Sequence, residues 1–133
     1  MTLQELIAQT GITATSEQVD HNPNMADDSW ARTADHYRVT LTRRKPRRQL
    51  TTFFSMGSAI GKPPTAEEVL DSLASDAEGC EQAIDFEDWA SGYGYDTDSR
   101  KAEHVYRTVK CQARKLQRFM DSAYIDLLDA ERL

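Results

Sequence analysis

The chain has 133 residues, a net charge of −6, two cysteines and three histidines. That length suits one domain around a single core, and the negative balance argues against generic affinity for nucleic acid or anionic membrane. Two cysteines in no paired spacing exclude a disulfide framework, and no apolar run approaches the ~18 residues of a spanning helix.

Thr2 is placed to cap a short helix Leu3–Gln9, with Glu5 completing a capping box and Gly11 as a stop. Ile12–Val19, rich in Thr, Ile and Val, reads as a strand. Asp20–Asp35, with Asn22-Pro23-Asn24 and Asp27-Asp28, has loop chemistry, and Trp30 there is either a lid over the core or an exposed contact residue. Tyr37, Val39 and Leu41 alternate with Arg38, Thr40 and Thr42, the pattern of a half-buried strand, and Leu50–Met56 repeats it. Between them, Arg43-Arg44-Lys45-Pro46-Arg47-Arg48 predicts a hairpin turn, so an antiparallel sheet of two to three strands is expected.

From residue 65 the period becomes helical. Thr65 and Glu68 form a second capping box, and Val69, Leu70, Leu73, Ala74 and Ala77 make one apolar stripe ended by Gly79. Asp85 is placed to cap Phe86–Gly92, whose Phe86, Trp89, Ala90 and Tyr93 share a face. Asp96-Thr97-Asp98-Ser99 caps a third, longer helix with the stripe Ala102, Val105, Tyr106, Val109, Ala113, Leu116, Phe119, Met120. That helix either continues through Tyr124, Ile125 and Leu128 or bends near Asp121-Ser122. The expected fold is α+β, one domain over 1–133. Residues 1–60 give the N-terminal helix and sheet; residues 61–133 give three helices packed on it.

No catalytic constellation emerges. Asp96-Thr-Asp98 fails as a calcium loop because Arg100 and Lys101 stand where an acid or amide and a glycine are needed. His21, His36 and His104, with Cys80 and Cys111 far apart, give no zinc spacing, so no metal and no cofactor are expected. His21 and His36 are read at loop or strand-edge positions. Cys111 and His104 lie seven residues apart on one helix, ~10 Å and too far for a nucleophile–base pair. Cys111 is read as a small buried or half-buried group. Gly57-Ser-Ala-Ile-Gly61-Lys62 lacks the spacing of a phosphate loop, and Pro63 follows the lysine.

Charge is the distinctive feature. Lys62–Ser99 carries eleven acids against Lys62 alone, whereas Arg100–Arg118 carries seven bases against Glu103. The acidic block reads either as the solvated faces of two helices or as a surface imitating a phosphate backbone. In the second case Asp71, Asp76, Glu81, Glu87 and Asp88 are the docking residues. The basic turn reads either as a solvated tip that blocks edge pairing or as a finger for phosphates or an acidic partner. That finger would use Arg43, Arg44, Lys45, Arg47 and Arg48, joined by Lys110, Arg114 and Arg118 on one helix face, with Tyr37 or Phe53 stacking bases.

The string Phe86-Glu-Asp-Trp-Ala-Ser-Gly-Tyr-Gly-Tyr-Asp-Thr-Asp-Ser-Arg-Lys-Ala-Glu-His-Val-Tyr106 resembles a widespread family of small phage and prophage proteins. The resemblance extends to Gly11-Ile-Thr-Ala14, Asn22-Pro-Asn-Met25, Tyr37-Arg-Val-Thr-Leu41, Phe54-Ser-Met-Gly57 and Pro64-Thr-Ala-Glu-Glu-Val-Leu-Asp-Ser-Leu-Ala-Ser-Asp76. It implies a mobile-element origin and an accessory, host-facing role, and carries no catalytic residue. The expectation is a non-enzymatic phage protein in the host cytoplasm that inhibits a host defence complex, such as a CRISPR effector. A nucleic-acid-binding accessory of phage replication or recombination is the alternative. No membrane segment and no signal peptide are expected.

Overall fold

Three antiparallel strands run in the spatial order β1-β2-β3: β1 Thr13–Val19, β2 Ala34–Arg43 and β3 Arg48–Gly57. The computed structural model describes residues 1–25, 29–57 and 61–132; Asp27, Asp28, the Trp30 side chain and the centre of the Gly57–Lys62 run lie outside the described residues. β2 is central, pairing Ser16 with Val39 on one side and Val39 with Thr52 on the other. Tyr37, Val39, Leu41, Leu50, Thr52 and Met56 are buried, while Thr51 and Arg38 of the alternate set are exposed. One face is therefore packed and the other partly solvated, as suits an antiparallel sheet. On the solvated face Glu17 and Arg38, directly opposite in register, form an ion pair.

Helix α1 (Leu3–Thr10) begins with the expected Thr2–Glu5 capping box and ends at Gly11, whose φ of 68° is the left-handed conformation glycine adopts without strain. The expected loop contains a short helix α2, Ser29–Thr33. Helix α3 (Ala66–Gln82) has the Thr65–Glu68 box, but it runs through Gly79 instead of ending there. There Gly79 lies against Tyr93: a Cβ would meet the hydroxyl and lie 3.1 Å from its Cζ, so a larger residue would displace that side chain. Helices α4 (Phe86–Gly92) and α5 (Arg100–Met120) follow, the latter capped by Ser99. The chain then bends through a 3-10 turn, Asp121–Ala123, into α6, Tyr124–Arg132. Among the described residues four helices thus follow the sheet, the third expected helix being the one that bends at Asp121 and divides in two.

The main core joins Leu6 of α1 and the packed sheet face to Val69, Leu70, Leu73, Ala74 and Ala77 of α3. Leu116, Phe119 and Met120 of α5 and Leu127 and Leu128 of α6 complete it. Removing such side chains from water is the dominant favourable contribution to folding. A second cluster forms around Trp89, Ala90 and Val105, with Phe86, Tyr95 and Tyr106 packed on it. Cys111, expected to be at least half-buried, is exposed. It falls between Lys110 and Arg114 on the polar side of α5, away from the Leu116–Phe119–Met120 edge. Among the described residues no helix is long and apolar enough to cross a membrane.

Candidate interaction surfaces

Both charged surfaces named from sequence owe their shape to helix capping. At the acidic corner, α3 gives way to α4 across 83–85. Asp85 caps α4, its carboxylate accepting the Asp88 N–H at 2.9 Å, and Asp88 accepts the Ile84 N–H at 3.0 Å. With its backbone held this way, the Ile84 side chain is 91 % exposed. Glu81, Asp85, Glu87 and Asp88, all exposed, surround it in sequence. Behind the turn Trp89, 4 % exposed, has Tyr106 at 5.1 Å, Tyr93 at 5.2 Å and Tyr95 stacked at 5.4 Å between ring centroids. The Trp89 Nε1 is buried and makes no hydrogen bond among the described residues. Tyr93 is 51 % exposed at the rim.

The five acids named from sequence do not act alike. Glu81 accepts a 2.8 Å bond from the Tyr124 hydroxyl, joining α3 to α6. Burial and that bond push the Tyr124 pKa well above the usual tyrosine range. Asp71 is hydrogen-bonded to Glu131, whose carboxyl burial first, and Asp71 second, push up to about 7. Asp76 is exposed as a residue, yet it lines a recess of about 260 Å³ beside Leu73 and Val109, and lost hydration raises its pKa to about 6. Glu87 is exposed and Asp88 is a cap. Glu87 is accordingly the acid whose replacement disturbs least.

The basic hairpin is reorganised more strongly. Arg43 is 4 % exposed: its Nη1 donates to the Phe119 carbonyl at 2.9 Å and to the Met120 carbonyl, and its Nε to the Lys45 carbonyl at 3.1 Å. Arg48 donates to the Arg118 carbonyl and forms a 3.2 Å ion pair with Asp121. These two arginines, opposite one another at the end of the β2–β3 ladder, satisfy the orphan carbonyls at the C-terminus of α5 and oppose its negative dipole end. Arg43 is therefore no finger for phosphate. Arg44, Lys45 and Arg47 remain exposed in the turn that Arg43 and Arg48 tie to the end of α5, with the Arg44 stem lying against Gly11, and Arg114, Lys115 and Arg118 of α5 are exposed too. Lys110 lies 5.2 Å over the Tyr106 ring, and Arg107 pairs with Glu103. Tyr37 is buried and unavailable for base stacking.

His36, read from sequence as a loop or strand-edge residue, lies within β2 and is buried. Its Nδ1 meets the Ser55 hydroxyl at 2.7 Å and its Nε2 the Ala31 carbonyl at 2.7 Å, while Asn22 donates to Ser55 at 2.9 Å. A hydroxyl on an imidazole is the contact a nucleophile–base pair needs. Here the outer nitrogen faces a backbone carbonyl, and the chain of bonds ties residues 22–25 and α2 to the sheet. The sequence signal for it is the turn at 44–47, which fixes a register that sets His36 opposite Ser55. Among the described residues no group of three or more His, Cys, Asp or Glu side chains is placed to hold a metal ion. No protein-family model, curated protein or solved structure matches this chain.

Proposed function

We propose that this is a non-enzymatic binding protein that docks its acidic corner onto a basic, nucleic-acid-handling surface of a host protein. The observation that carries the reading is Ile84, 91 % exposed and flanked by Glu81, Asp85, Glu87 and Asp88. An apolar centre with a charged rim is the anatomy of a specific interface, and carboxylates of one sign steer encounter with a cationic groove. The resemblance to small phage and prophage proteins supports a host defence complex, such as a CRISPR effector, as the target, with inhibition by occupation of its nucleic-acid groove. The test is target-DNA cleavage by purified effector complexes with the protein added. Inhibition that is lost in an Ile84→Asp, Glu87→Lys double variant supports the reading. Full inhibition by that variant, or none by the wild type across effector classes, refutes it.

A second reading, direct binding of nucleic acid, is favoured by the arginine clamp that ties the turn carrying exposed Arg44, Lys45 and Arg47 to the end of α5, where Lys115 and Arg118 are exposed. Phosphate binding there gives a gel shift that weakens steeply with salt and is reduced by Arg44→Glu with Arg47→Glu. A shift that neither salt nor those substitutions alter excludes it.

A further inference from the structure

β3 is an edge strand: among the described residues it pairs with β2 alone. Edge strands are ordinarily protected by charge, proline or a covering segment. The other edge, β1, carries Glu17 in its middle, whereas β3 holds no charged residue and no proline from Gln49 to Gly57. Two recesses follow one another along it, each closed on its far side by α5. The first, about 470 Å³, lies between Arg48–Thr51 and the α5 residues Lys115, Arg118 and Phe119. The second, about 260 Å³, lies between Thr52–Ser55 and Thr108, Val109 and Gln112, with Asp76 of α3 at its wall and Asn22, Asn24 and Met25 flanking its Ser55 end. A β-edge facing a helix across a trough is the geometry that accepts an added strand, whose backbone supplies affinity and whose alternate side chains supply specificity.

The trough is also charged by position. Lys115 and Arg118 are exposed at the Arg48 end, where Arg48 itself is partly neutralised by Asp121. At the Ser55 end stand the Asp76 carboxyl and the Gln112 Oε1, a buried acceptor with no hydrogen-bond donor among the described residues. A buried acceptor left unmatched is costly, and an inserted segment can supply the missing N–H. The sheet is antiparallel throughout, and an antiparallel addition runs from the Ser55 end to the Arg48 end.

We propose that the edge of β3 and the facing side of α5 form a strand-addition groove for an extended peptide antiparallel to β3. This peptide carries a basic residue in its N-terminal half and acidic residues at its C-terminal end. At ~3.4 Å per residue, eight residues span the two recesses. This site is separate from the acidic corner and stands whether or not that corner docks a partner.

The experiment pans a displayed random octapeptide library against the folded full-length protein, then follows amide hydrogen exchange with the selected peptide added. The expected consensus alternates β-branched or aromatic residues, ends in Asp or Glu, and slows exchange at the β3 edge at least tenfold. Lys115→Glu with Arg118→Glu, both at exposed positions, weakens that peptide at least tenfold and turns preference toward basic C-termini. Glu87→Lys leaves binding unchanged. No enriched consensus, protection centred on Ile84–Asp88 instead of β3, or indifference to the Lys115/Arg118 reversal each overturns the proposal.

Discussion

Replacing Arg43 with methionine keeps most of the buried stem and deletes the guanidinium that closes the end of α5. The Phe119 and Met120 carbonyls lose their donor in a buried setting, and Lys45 loses a 3.1 Å partner. Each unsatisfied buried acceptor costs about 1–3 kcal/mol. Loss of a cation from a helix C-terminus adds about 0.3–1 kcal/mol. Relief from desolvating the guanidinium offsets part of this, so the expected net loss is about 3 kcal/mol. Against a total stability of about 5–15 kcal/mol, that is a large fraction. With a urea m-value of roughly 1–3 kcal/mol/M, the midpoint moves down by about 1–3 M in a tryptophan-fluorescence unfolding curve. Arg43→Lys, which keeps charge but not the two-carbonyl reach, falls between. Arg47→Ala, at an exposed position of the same turn, stays within about 0.5 kcal/mol. If Arg43→Met unfolds like Arg47→Ala, the arginine does not close the helix as argued.

Glycine-to-alanine within a helix ordinarily gains about 0.5–1 kcal/mol, but Gly79→Ala is expected to forfeit that gain because the new methyl displaces the half-exposed Tyr93 side chain; pairing it with Tyr93→Phe, which removes the hydroxyl contact, should restore part of it. Equal midpoints for the single and double variants would show that the contact does not decide. Asp76 and Glu131 have folded-state pKa values raised to about 6 and about 7, so their stabilising contribution is complete below the ordinary carboxylate range and is lost as pH rises through those values. Urea midpoints should therefore fall between about pH 4 and pH 7 and level off above, with Asp76→Asn removing at most about 1 kcal/mol of the trend because the residue is solvent-screened; a profile flat or rising across that window contradicts this. Glu87→Lys should leave stability within about 0.5 kcal/mol, whereas Asp88→Lys should cost about 1 kcal/mol by releasing the Ile84 N–H, a difference thermal melts will read.

Local chemistry announced the elements well. The Thr2–Glu5 and Thr65–Glu68 boxes, the alternating strands and the long stripe of α5 are written at spacings of two to four residues, and each forms where expected. The failures share a different cause. In sequence Arg43 and Arg47 look equivalent; what separates them is a pair of carbonyls 76 and 77 residues away. Gly79 reads as a helix stop because glycine usually is one, and its contact with Tyr93 inside α3 is not visible in the local sequence. Cys111 reads as a small buried or half-buried group on residue type, although its angular position on α5 puts it among the bases. Of the acids, Glu81 and Asp88 are engaged by Tyr124 and Ile84, contacts that composition does not disclose.

The arginine clamp also has a kinetic meaning. The β1–β2–β3 meander and the capped helices form from contacts close in the chain, whereas joining Arg43 to Phe119 and Met120 closes a loop of about 76 residues. Such a latch is expected to engage after the folding transition state has been crossed. Its loss then leaves the folding rate nearly unchanged and appears as faster unfolding: about 3 kcal/mol on that limb alone is on the order of a hundredfold. Stopped-flow chevrons of Arg43→Met would show this as a raised unfolding arm beside an unmoved folding arm. The residue that resembles a hook for a partner would in that case set how long the native state persists.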